Sequence, residues 1–324
     1  MRVGMPRGLM FYKYYPFWQA YLDSLDVELV VSERTNKKIL DLGLVAAENE
    51  FCLPLKVFYG HALSLKDKVD ALLIPRLVSV HKKEFTCPKM LGLPDLIHAL
   101  EGRVPPVISP KIDVRKNTRG YYRELMGLGK RFDGKNRRIV SAILAGRRAQ
   151  IEYEKKLIAG MTPPEALEGD TRETTKQELT IGLVGHSYNI YDSYITLDLI
   201  KRLRRAGAKV LVPENISPET IDAESRDLPK RLFWTYEKEI VGSAFHWMKS
   251  EAVSGVIYVL AFACGPDSFI QSVIEDKSRS LGNVPVMSLV IDEHSTEGGM
   301  ITRLEAFIDM LKRRDHAACN ASHG

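Results

Sequence analysis

The sequence lacks any uninterrupted apolar run approaching about eighteen residues, which speaks against a membrane-spanning helix. Its opening, MRVGMPRGLMFYKYYPFW, has neither the long apolar core nor the small-residue cleavage site of a signal peptide, so a cytoplasmic protein is expected. It has no GxxxxGK followed by Ser or Thr, and no GxGxxG after a strand. Gly4…Gly8 and Gly182…Gly185 fit neither pattern, so neither ATP nor a dinucleotide is expected on this chain by those routes. Cysteine is scarce, with four in 324 residues, which is no disulfide framework in a cytoplasmic chain. Charge of one sign is not in large excess either, at 46 Lys and Arg against 41 Asp and Glu. The exception is the stretch from Lys111 to Arg148, where twelve Lys or Arg face only Asp113, Glu124 and Asp133. That stretch reads as the solvated face of helices or as a surface for phosphates or an acidic protein. Its aromatic interleaving is slight (Tyr121, Tyr122, Phe132) and no nucleic-acid fold signature appears, so nucleic acid is not an expected partner.

What is present is the mix of a globular protein, 45% apolar and 27% charged, in a chain too long for one ordinary core. Short β-branched runs recur, each followed by turn residues and a longer helical pattern. Strands are expected at Arg2–Met5, Val27–Ser32, Ala71–Pro75 and Pro106–Ser109, then at Leu179–Gly185, Lys209–Pro213, Gly255–Phe262 and Val284–Ile291. Helices are expected at Phe17–Leu25, Leu53–Leu65, Thr196–Ala206, Ser268–Lys277 and Ile301–Lys312. The runs IGLVG, VIYVLAF and VMSLVI are continuously apolar, as in strands covered on both faces. Alternation of this kind, occurring twice, predicts an α/β chain of two Rossmann-like parallel-sheet domains joined by a helical segment. The boundaries read as an N-terminal α/β domain at 1–114, a helical connection at 115–178 and a C-terminal α/β domain at 179–314. The connection centres on GMTPPEALEGDTRETTKQ, and a fraying tail is expected at 315–324.

Three of the cysteines share a setting. Cys52 (EFCLPLKVFYGH), Cys87 (EFTCPKMLGLPD) and Cys264 (LAFACGPDSFIQ) each have a proline within two residues, in a loop or at a helix start. In open α/β sheets the carboxyl ends of the strands form the ligand crevice, and helix N-termini there favour thiolate over thiol. The spacings of 35 and 177 residues match no compact ferredoxin or zinc-finger pattern, so buried thiols, reactive thiols and metal ligands all remain open on spacing alone. Cys319 falls in the expected tail and is discounted as a ligand.

The segments GMPRGLMFYKYYPFW, VVSERTNKKILDLG, ENEFCLPLKVFYGH, LIPRLVSVHKKEFTCPKMLGLPD, FACGPDSF and IDEHSTEGGMITRLEAFIDML resemble the 2-hydroxyacyl-CoA dehydratase superfamily. The likeness is strongest to its activase-associated branch, the CoA-substrate-specific enzyme activase-related proteins. It runs from residue 1 to about 312 and thins in the linker. The resemblance implies one oxygen-sensitive [4Fe-4S] cluster between two Rossmann-like domains, with ligands carried over onto Cys52, Cys87 and Cys264. It also implies a separate ATP-hydrolysing activase that delivers a low-potential electron. Three thiolates leave one iron without a cysteine, the open position that metal catalysis requires. As an enzyme the chain would be a dehydratase or reductase component of that type, working as a homodimer or with a related second subunit. An alternative of another class is a non-enzymatic interaction protein with a structural zinc held by three cysteines and one of His61, His81 or His294. A third reading leaves three uncoordinated thiols.

Two further groups draw attention. Asp292, Glu293, His294, Ser295, Thr296 and Glu297 follow a strand end, and are either acid–base groups at the sheet edge or a turn capping the last helix. Arg7, Lys13, Lys37, Lys38, Arg76, Lys82, Lys83 and Lys89 gather in the motifs around Cys52 and Cys87, where cationic surroundings would raise a cluster's potential or dock a partner.

Overall fold

Ten strands carry the architecture of a computed structural model that describes residues 1–169, 177–250, 252–295 and 297–321, with side chains to 314 in the last helix. The middle of the expected connection (170–176), Thr296, the Cys319 side chain and the end of the expected tail (322–324) lie outside the described residues. The chain divides into a first unit, Met1–Glu168 with Leu232–Tyr236, and a second, Gly169–Arg231 with Glu237–Gly324.

In the first unit β1 (Arg2–Met5), β2 (Glu28–Val31), β3 (Ala71–Leu73) and β5 (Val107–Ile108) form one parallel sheet in the order β2-β1-β3-β5. Two more strands, β4 (Arg76–Ser79) and β6 (Lys111–Asp113), form a separate parallel pair. Neither was expected from the sequence. Pro75 and Pro110 interrupt the ladder because proline brings no N–H. Pairing then resumes, with Arg76 N–H donating to the Pro110 carbonyl at 3.0 Å.

The first helix spans Phe11–Asp23 rather than the expected Phe17–Leu25, and Pro16 sits inside it. Proline leaves the carbonyl four residues back, that of Tyr12, without its helical donor. The Tyr153 hydroxyl fills that place at 2.6 Å, and Gln150 Nε2 donates to the neighbouring Lys13 carbonyl at 2.9 Å. Both donors stand on the long helix Asn136–Ile158, which approaches so closely at Gly146 that an added Cβ would lie 2.9 Å from the Phe17 carbonyl. The helices of the basic segment therefore pack within the first unit. A second close crossing joins the helices Lys37–Ala46 and Leu53–Ser64. A Cβ on Gly43 would meet the Lys56 carbonyl at 1.9 Å, and one on Gly60 would meet the Ile39 carbonyl at 1.9 Å.

In the second unit β7 (Leu179–Gly185), β8 (Ala208–Leu211), β9 (Gly255–Ala261) and β10 (Val286–Ile291) form a parallel sheet in the order β10-β9-β7-β8. Each four-stranded sheet thus runs second, first, third, fourth in chain order, the doubly wound arrangement the alternation predicts. β7 and β9 are central and almost wholly buried. β10 departs from the expectation for VMSLVI: it is an edge strand, largely half-buried, with Val290 39% exposed. The helix Thr235–Ser250 packs on β7, where Gly182 makes room for Trp247; a Cβ there would lie 2.3 Å from the indole. The last helix, Glu297–Ala321, continues into the segment read as a fraying tail. No helix among the described residues is long and apolar enough to cross a membrane.

Candidate functional site

A doubly wound sheet opens its ligand crevice where the strand order reverses, at the carboxyl ends of its first and third strands. In the first unit that point lies between β1 and β3. A small apolar recess there is lined by Met5, Leu9, Met10, Leu73, Ile74 and Met90 among others. Met90 belongs to the short helix Pro88–Leu91, whose N-cap is Cys87.

Cys52 and Cys87 have nearly the same backbone: φ −62° and ψ 149° at Cys52, φ −62° and ψ 150° at Cys87. Each is the N-cap of a helix with proline in the first turn, and each is half-buried. Their carbonyls close the first helical turns, accepting from Leu55 at 3.0 Å and from Met90 at 3.0 Å. Lys89 joins the two loops. Its ammonium donates to the Glu50 carbonyl at 3.4 Å and lies 5.4 Å from the centre of the Phe51 ring, just before Cys52. The two sequence-distant cysteines of this unit therefore sit on adjoining loops.

Four other basic residues near these motifs, Arg7, Lys13, Lys37 and Arg76, are already engaged. Arg7 pairs with Glu168 at 3.2 Å, Lys37 with Asp41 at 2.6 Å, and Arg76 holds Asp95 through two bonds of 2.6 Å. Lys13 lies 5.7 Å from the centre of the Tyr236 ring. Of the histidines singled out in the sequence, His61 is fully buried, with Nδ1 2.9 Å from Ser32 Oγ and Nε2 3.0 Å from Thr35 Oγ1. Burial, and then the charge of Arg7, push its pKa down to about 3. Both ring nitrogens are spoken for by hydroxyls, which suits a neutral core histidine better than a metal ligand. His81 and His294 are exposed.

In the second unit the reversal lies between β7 and β9, and two residues stand at the two strand ends: His186 after β7 and Cys264 after β9. Gly185 turns the chain at φ +151°, where an added Cβ would lie 2.4 Å from the Val259 carbonyl. After β9 the chain bends through Ala263 at φ +62°, a left-handed conformation that costs an L-residue about 1–2 kcal/mol. Cys264 follows, half-buried, as the N-cap of the helix Gly265–Leu281. Backbone strain of this kind is concentrated at functional sites.

Around this bend lies a buried polar cluster. His186 is 4% exposed, Glu237 1% and Asp267 0%. Nε2 of His186 lies 3.1 Å from Oδ1 of Asp267 and 3.8 Å from Oε1 of Glu237. The shorter contact has the distance of an ion pair without the alignment of a hydrogen bond, since Nε2 has no hydrogen-bond partner among the described residues. The same holds for Oδ2 of Asp267 and Oε2 of Glu237. Tyr258 donates its hydroxyl to Asp267 Oδ1 at 2.9 Å, and the His186 ring stacks on Tyr188 at 4.7 Å. One ligand atom from each of His186, Cys264 and Asp267 lies within 4.8 Å of the others. Burial disfavours the imidazolium, but the charges of Asp267 and then of Glu237 and Glu239 outweigh it, and the pKa of His186 is raised. Burial also raises the Glu237 carboxyl, only partly opposed by His186. Tyr258 is pushed well above its ordinary value by burial and then by Asp267, so it remains a donor.

Sequence reasoning passed over His186 and Glu237 altogether. A histidine directly after a continuously apolar strand, in VGHSYN, was the available signal. Asp267 was visible only as part of FACGPD. The acidic turn after β10 is bonded to itself: Asp292 N–H to Ser295 Oγ at 2.9 Å, Ser295 Oγ to Asp292 Oδ1 at 2.9 Å, and His294 N–H to Asp292 Oδ1 at 2.9 Å. Glu297, at the start of the last helix, pairs with Arg202.

Compared with known proteins, residues 2–216 match the family model described as the CoA enzyme activase uncharacterised domain, about two thirds of the chain. No curated protein matches the sequence at a significant level.

Proposed function

The chain belongs to the CoA enzyme activase uncharacterised domain family, and on that footing we propose that it is an iron–sulfur protein accepting low-potential electrons from an ATP-hydrolysing activase. Cys52, Cys87 and Cys264 are its proposed ligands for one [4Fe-4S] cluster. The observation that carries the reading is the matched setting of Cys52 and Cys87 on loops joined by Lys89. Two cysteines far apart in sequence thus sit at matching helix starts on adjoining loops, which supports a shared role for them. Cys264 supports it from the second unit, at a strained strand end beside a switch point.

When bound, the cluster supplies uptake and release of one electron at a time. The chain's own residues set the conditions. Cys52 and Cys264 head helices of 12 and 17 residues, whose free N–H groups and positive dipole ends favour thiolate and the net negative charge of a thiolate-bound centre. Lys89 adds a fixed positive charge beside the first pair. The alternative of a structural zinc with His61, His81 or His294 draws no support from those histidines, one clamped by hydroxyls and two exposed.

The experiment is iron, sulfide and zinc analysis, with the visible spectrum, of protein isolated without oxygen. About four irons and matching sulfide per chain, with broad absorption that bleaches on reduction, are expected. A colourless protein holding zinc and no iron overturns the proposal.

A further inference from the structure

We propose that the second unit has a metal site of its own, in which Nε2 of His186, Sγ of Cys264 and the Asp267 carboxylate bind a single zinc-class divalent ion. This inference does not rest on the cluster reading, because it uses one cysteine and lies within one unit.

The donors select the ion. An imidazole nitrogen, a thiolate and a carboxylate together suit a borderline ion such as zinc, and neither calcium nor magnesium takes such a set. The spacing agrees. Two donors held about 2.0–2.2 Å from one tetrahedral ion lie roughly 3.3 Å apart, and His186 Nε2 is 3.1 Å from Asp267 Oδ1. All three donors come within 4.8 Å of one another, a span that one ion bridges.

The orphaned atoms point the same way. A simple buried ion pair between His186 and Asp267 would align a ring N–H on the carboxylate. Here Nε2 is buried without a hydrogen-bond partner among the described residues, as are Asp267 Oδ2 and Glu237 Oε2. Buried polar atoms are rarely left so, and three of them on the side chains of one cluster call for a partner. A divalent cation gives the buried ring nitrogen a partner, and one thiolate and one carboxylate balance its charge. The supporting shell is in place: Tyr258 fixes the Asp267 carboxylate by donating to Oδ1 at 2.9 Å, and that oxygen keeps a second lone pair for the ion. Glu237, whose Oε1 lies 3.8 Å from Nε2, stands beside the donor set as a further buried carboxylate. Cys264, half-buried, keeps one donor of the set in reach of solvent. Cys264 cannot serve this ion and a cluster at once, so each occupancy excludes the other.

The test uses the full chain, stripped of iron and other metals under reducing conditions, with cobalt(II) as the spectroscopic probe and zinc as its competitor. One equivalent of cobalt is expected, with thiolate-to-metal charge-transfer absorption and the strong visible bands of a tetrahedral ion, all displaced by zinc. The double variant Cys52→Ser, Cys87→Ser should keep this spectrum. Cys264→Ser, at a half-buried position that leaves the core untouched, should lose the charge-transfer band, and His186→Ala should weaken binding at least about tenfold. Cobalt that fails to bind, binds without charge transfer, or depends on Cys52 and Cys87 overturns the inference. Its failure stays distinct from failure of the cluster reading, which is judged on iron and sulfide in protein never stripped of metal.

Discussion

The hydroxyl of Tyr153 donates to the backbone carbonyl of Tyr12 at 2.6 Å, and that carbonyl is the one Pro16 deprives of its helical partner. A proline that would otherwise weaken the first helix is thereby tied to a helix more than a hundred residues later in the chain. Tyr153→Phe should cost about 1–3 kcal/mol, the price of leaving a buried carbonyl unmatched. In a Pro16→Ala background the same change should cost less, because alanine restores the missing N–H. Urea unfolding of the four proteins in this cycle measures the coupling, and strictly additive effects would refute the arrangement.

Gly43 and Gly60 let two helix backbones touch, so Gly43→Ala and Gly60→Ala should each destabilise the protein by about 1–3 kcal/mol or more through overpacking. Gly127→Ala is the control. It lies in the helix Arg119–Gly129 with nothing within 4 Å of the added carbon. There alanine's better helix propensity should raise stability by up to about 1 kcal/mol. Denaturant midpoints compare the three.

His61 predicts a pH dependence with a definite sign. Its folded pKa is lowered from 6.5 to about 3, so the neutral form is what the fold stabilises. That contribution is complete above about 6.5 and is lost as pH falls from there through about 3. The slope is at most about 1.4 kcal/mol per pH unit for one proton. His61→Gln should be less stable than the parent at pH 7 and should lose less stability on acidification. Parallel slopes for parent and variant would contradict the assignment.

Much of this architecture is legible in the sequence. Arg2–Met5 and Leu179–Gly185 are strands over the limits their apolar runs suggest, and the two series of alternating elements become two parallel sheets of like order. The misses have physical causes. β4 and β6 are short and begin just after prolines, where pattern is weakest. The helix Thr235–Ser250 shows no clean apolar stripe because nearly every side chain along it is buried, polar ones included.

The site divides in the same way. The three cysteines were visible because each has a proline within two residues, in a loop or at a helix start. His186 was not, since a lone histidine carries no periodicity, and its nearness to Cys264 follows from the pairing of β7 with β9, which no local pattern encodes. The contact of Lys89 with Glu50 and Phe51 was likewise invisible until the first unit was folded.

The most direct test of the central claim is the iron content of four single variants, Cys52→Ala, Cys87→Ala, Cys264→Ala and Cys319→Ala, each prepared without oxygen beside the parent. The account predicts that the first three lose most of their iron and sulfide together with the reducible visible absorption, while Cys319→Ala keeps the parent's content. Iron that survives in any of the first three, or a parent that holds none, would contradict it.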